Sequence, residues 1–155
     1  MLFQKVHYFC RENYTYFIKT IFVEKMNKQD HVDYWHKTAD SDWTASQALF
    51  EKEQYLQSLF FAHLVLEKLL KAHWVKDNTG DYPPRIHRLM SLKDRIQLNL
   101  SQDEINVLDD MEIFQMEGRY PDYHFRIAQL CTQQFTEILL ERVKELKNSL
   151  ISNLP

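Results

Sequence analysis

Glycine is nearly missing from this 155-residue chain, which has two, and proline is scarce at four. Strands and hairpins depend on such turn formers, so their shortage argues against an all-β design and for a few long helices. Cysteine is equally sparse. Cys10 and Cys131 stand far apart, in no CxxC and in no Cys/His cluster of ligand spacing. That excludes a disulfide framework or zinc module and fits a reducing compartment, with Cys131 expected as a small core residue. No apolar run approaches the ~20 residues needed to span a bilayer. Lys5, Arg11, Glu12 and Lys19 break the aromatic N-terminus where a secretory signal would run uninterrupted. A cytoplasmic protein without membrane contact is the expectation. An excess of one charge is lacking too: the net charge is -3 with 26% charged residues. Bulk attraction to polyanions is excluded, and any nucleic-acid contact must be local.

What is present is apolar and periodic. Hydrophobic residues make up 45% of the chain, and its length suits one domain with a real core. Residues 1–25 are rich in Phe and Tyr and differ from the rest. They read as an N-terminal appendage, or an upstream extension of the reading frame, ahead of a domain over 26–155. A first helix is expected from Asp30, with Trp35, Ala39, Trp43, Ala45, Ala48, Leu49 and Phe50 on its apolar face. After a break near Glu53–Tyr55, a second helix carries Leu59, Ala62, Leu66, Leu69, Leu70 and Trp74, with Glu67 and Lys71 as an i,i+4 pair. Asn78-Thr-Gly80 and Pro83-Pro84 stop it. A short helix is expected from Leu89 to about Leu98, and Ser101 with Glu104 forms a capping box for the next. Past Gly118, helical period returns over Phe125–Leu150. The sum is an all-α, up-and-down antiparallel bundle of four long helices plus one short one.

Several chemistries find no footing. No Glu is followed by His at the third position, as bundle dimetal sites require, and no further cofactor is implied. His31, Asp33 and His36 sit at one end of the first helix, where a solvated face is the better reading. His63 and Glu67, one turn apart, read as structural, with His63 bonded to a neighbouring helix. No nucleophile elbow is present, and Gly80 and Gly118 are too isolated to cradle a phosphate. What remains is Glu117–Phe125, EGRYPDYHF, which interrupts the chain between two long helical stretches and sets an arginine and a histidine in the break. Arg119 offers a permanently charged, planar fork of donors suited to a phosphate. His124 titrates near neutrality and can move a proton. Together they contain the parts for metal-independent RNA cleavage. The plainer alternative is that Arg119 neutralises Glu67 or Glu117 at a helix end.

From about Tyr34 to Leu146 the chain resembles a HEPN domain. The resemblance is carried by YWHKTADSDWTASQALF, by FFAHLVLEKLLKAHWV with its EKLLKA core at Glu67–Ala72, by HRLMSL, and by the RYPD loop at Arg119–Asp122. It implies a helical bundle that forms a homodimer with a cleft between subunits. Catalytic members are ribonucleases, often toxins encoded beside a minimal nucleotidyltransferase antitoxin, and use an arginine and a histidine separated by four to six residues. Arg119 and His124 match that spacing. Tyr120 departs from the polar residue that commonly follows the arginine, and Arg126 from the tyrosine often found two past the histidine. The resemblance therefore implies RNA or nucleotide binding at Arg119 and His124. Glu67 and Lys71 are expected to orient the arginine, and Tyr120 and Asp122 to complete the loop. Two rivals stay open: a non-catalytic module that docks with a nucleotidyltransferase or binds a nucleotide, and a plain helical dimer with a structural loop.

Overall fold

The computed structural model describes residues 26–155; the appendage expected over 1–25, and Cys10 with it, falls outside the described residues. Six helices follow in order: α1 Lys28–Glu51, α2 Tyr55–Asp77, α3 Leu89–Lys93, α4 Gln102–Glu117, α5 Arg126–Leu130 and α6 Gln133–Ser152. The four long ones alternate in direction, and α2 packs against every other helix. Its sequence explains that position. Leu59, Ala62, Val65, Leu66, Leu69, Leu70 and Ala72 are all fully buried, so α2 is apolar around most of its circumference.

The helix ends follow local chemistry. Asn27 caps α1 and Ser101 caps α4, each in a reciprocal capping box, with Asp30 and Glu104 as the returning carboxylates. Asn78 closes α2, its backbone N–H donating to the Trp74 carbonyl. Two expected helices come out shorter. α3 stops at Lys93 rather than near Leu98, because α2's end captures the following backbone: Asp77 accepts the Gln97 N–H at 2.6 Å, and Asn78 donates to the Arg95 carbonyl. The last helix is divided into α5 and α6, making two short helices rather than one among the described residues. Cys131 leaves helical geometry, and the Thr132 hydroxyl restarts the helix by accepting the Phe135 N–H.

The inward face of α1 also differs from expectation. Asp42 and Ser46 are buried, whereas Ala48 is exposed and Trp35, Trp43 and Phe50 are only half-buried. Small side chains let α1 approach α2 closely. Ser46 and Ser58 donate reciprocally to each other's carbonyl at 2.9 Å, and Asp42 pairs with Lys68. The rest of the bundle is joined through two histidines. His63 Nδ1 donates to the Met111 carbonyl of α4 at 3.1 Å, the bond to a neighbouring helix expected of it. His73 Nε2 donates to the Leu150 carbonyl of α6 at 2.9 Å. Cys131 is buried, as expected for a core residue, and burial pushes its thiol up to about 11, so it stays protonated and unreactive.

Candidate functional site

The loop between α4 and α5 is built by three residues with separate tasks. Gly118 ends α4 at φ -70, an ordinary helical value, so its freedom of backbone is not what is used. What it supplies is clearance: a Cβ there would come within 2.5 Å of Phe60 Cβ and Cγ. The close approach of α4 to α2 at this point therefore demands glycine. Left-handed geometry falls instead on Phe125, at φ 50, one residue before α5. Asp122 holds the turn between them. Its carboxylate accepts the His124 N–H at 2.8 Å and the Arg126 N–H at 3.1 Å, and Arg126 Nε lies 3.5 Å away. The His124 N–H leads the interactions that hold the Asp122 carboxyl below its usual range, with those from Arg126 adding to it. Glu117 closes the loop from the other side by accepting the Asp122 N–H at 3.4 Å.

This frame presents Arg119 and His124 to solvent. Arg119 is exposed, with its guanidinium 5.5 Å from the centre of the Phe60 ring. His124 is exposed as well, and among the described residues neither the guanidinium nor the imidazole makes a hydrogen bond or ion pair. Tyr120 and Tyr123 flank them, 73% and 100% exposed. The loop thus offers a fork of donors, a titratable ring and two aromatic faces, all unencumbered.

Glu67 and Lys71 stand elsewhere. Arg119 rests on Phe60, and Glu67 neither neutralises nor orients it. Lys71 Nζ donates to Glu67 at 2.7 Å, His87 Nδ1 donates at 3.1 and 3.2 Å, and His63 Nε2 lies 3.7 Å off, too far for a hydrogen bond. Burial works to raise the Glu67 carboxyl, but the His63 ring facing it, and after it Lys71 and His87, prevail and hold it down at about 2. His87 belongs to the HRLMSL match, but no local pattern ties it to Glu67, because the end of α2 and the loop after it separate them.

The metal candidates do not converge. His36 lies 3.5 Å from Asp40 and His31 packs edge-on against Tyr82, and among the described residues no three His, Cys, Asp or Glu side chains gather as a metal centre would need. Beside the loop, an apolar groove of about 320 Å³ opens between α4, α5 and α6, floored by Phe114 and Leu139 and walled by Ile113, Leu130 and Ile138. Phe135 and Ile138 line this groove, 43% and 58% exposed. The Asp110–Arg142 ion pair, 2.6 Å, lies at its rim.

The protein-family model described as HEPN domain matches residues 32–153. No curated protein and no solved structure matches the chain. Among the described residues no helix is long and apolar enough to cross a membrane.

Proposed function

Because the chain belongs to the HEPN domain family, we propose that the Arg119–His124 loop binds RNA and cleaves it without a metal, as the toxin of a toxin–antitoxin pair. The observation that carries this reading is the shared exposure of Arg119 and His124 on one loop held by Asp122 and Gly118. In the reaction His124 takes the proton of a ribose 2′-hydroxyl, whose oxygen then bonds to the adjacent phosphorus. Arg119 spreads its donors over the equatorial oxygens as charge grows there. The bond to the 5′-oxygen breaks, leaving a 2′,3′-cyclic phosphate and, once protonated, a 5′-hydroxyl. Tyr120 and Tyr123 supply stacking faces for the unpaired bases.

One imidazole serves either as base or as acid, so the leaving oxygen wants a second. A homodimer provides it by symmetry. The groove beside the loop suits that role, since α5 begins two residues after His124 and its Leu130 walls the groove. A second copy seated there would bring its own His124 toward the same cleft.

The same exposed groove also favours a second reading, in which the protein docks on a nucleotidyltransferase and does no chemistry of its own. Incubation with single-stranded RNA in chelator separates the two. Cleavage to cyclic-phosphate ends is expected, with a loss of about 10²-fold or more in His124→Ala at unchanged melting temperature. Arg119→Lys keeps the charge but loses the fork and is expected to be similarly impaired. Intact RNA, or undiminished cleavage by His124→Ala, would leave only the docking role.

A further inference from the structure

The buried charges on α2 support a second station on the surface. Glu67 is 5% exposed and Lys71 6%, and their contact leaves the carboxylate neutralised. His87 commits Nδ1 to Glu67, yet its side chain is 45% exposed and Nε2 has no hydrogen-bond partner among the described residues. A buried carboxylate has thus fixed the ring and left its outer nitrogen for something else. In the sequence Arg85 and Arg88 flank His87, both exposed and, among the described residues, without an ion-pair partner. Glu112, the α4 carboxylate that reaches this segment, is occupied by the Met90 N–H at 2.9 Å.

The placement relative to the loop adds to this. Phe60 and Glu67 are seven residues apart on α2, nearly two turns, so they share a face at about 10 Å separation. Phe60 carries the Arg119 guanidinium and Glu67 carries His87. Two cationic stations therefore lie along one side of α2, spaced by a length that a few nucleotides of single strand cover.

We propose that Arg85, His87 and Arg88 form a second phosphate-binding subsite for the RNA strand whose reacting phosphate meets Arg119, with Glu67 as the residue that positions His87. This rests on the RNA-binding reading of the Arg119 loop. It makes the protein's ligand a strand several nucleotides long, held at two phosphates by one subunit, and not a mononucleotide.

Anisotropy of labelled oligouridylates, two and eight nucleotides long, titrated against the full chain at several salt concentrations, tests it. The octamer is expected to bind more tightly and with a steeper salt dependence. Arg85→Ala combined with Arg88→Ala should flatten the octamer's slope of log K against log salt by about 0.7, the share of the one phosphate that this subsite neutralises. Dinucleotide binding and the melting temperature should not change, since both guanidinia are exposed. Glu67→Gln should weaken octamer binding more than dinucleotide binding; a residue with a packing role alone would lower the melting temperature and leave that ratio untouched. An octamer slope that survives the double substitution overturns the subsite while the Arg119 reading stands. Failure of the unaltered chain to bind either oligonucleotide removes both.

Discussion

At Gly118 the absence of one methyl group sets the shape of the whole loop. The atoms that a new Cβ would meet at 2.5 Å are Phe60 Cβ and Cγ, near the backbone of a packed helix, so they cannot swing aside. Gly118→Ala is expected to cost about 1–3 kcal/mol, as overpacked sites do, read as a lower urea midpoint at unchanged m. Because Phe60 also carries Arg119, the same substitution should weaken RNA binding, while Gly80→Ala, whose nearest atom is Trp74 Cη2 at 3.4 Å, should do neither. The sequence marked Gly118 as special but not why. A glycine beside Arg-Tyr-Pro suggests an unusual backbone; its real constraint is a neighbour fifty-eight residues earlier, which no local pattern records. Phe125, the residue that does adopt positive φ, carries no such mark at all.

Among elements, those with a side-chain signal at their ends were legible and those ended by distant partners were not. Ser101 and Glu104 announce α4, and both halves of the capping box form. Ser101→Ala should cost about 1 kcal/mol, measurable as a shift in denaturant midpoint with unchanged m. α6 begins at a cap that was equally available in the sequence, Thr132, but helical period across Cys131 masked it. The early end of α3 had no local signal, since Asp77 and Asn78 act from the preceding helix.

For the molecule as a whole, two buried groups predict how stability responds to acid. Burial holds the His73 ring below its ordinary 6.5, so it folds neutral. As pH falls through 6.5 the unfolded chain takes up this proton first, and stability declines from there toward the folded value. Glu67 adds a later loss between 4.5 and about 2, because its folded carboxylate resists protonation where the unfolded one does not. The melting temperature should therefore fall in two stages on acidification, and His73→Gln should remove the upper one. Assembly is the other property of this scale. Ile138 is 58% exposed in the groove, so Ile138→Arg should leave the monomer folded. If the groove joins two copies, sedimentation velocity should show a dimer for the unaltered chain and a monomer for this variant, with RNA cleavage lost in step.

Period, capping and the shortage of turn formers were enough to determine an all-α bundle and the order of its long helices, because helix formation is decided within a few residues along the chain. The exposed Arg-Tyr-Pro-Asp loop was equally plain as an interruption. Which residues meet across the bundle was settled only in three dimensions: Arg119 upon Phe60, His87 upon Glu67, and Phe135 and Ile138 on an open groove rather than in the core. Those contacts join residues far apart in the chain, and their energies depend on packing and desolvation, which arise when the helices assemble and have no counterpart in local periodicity.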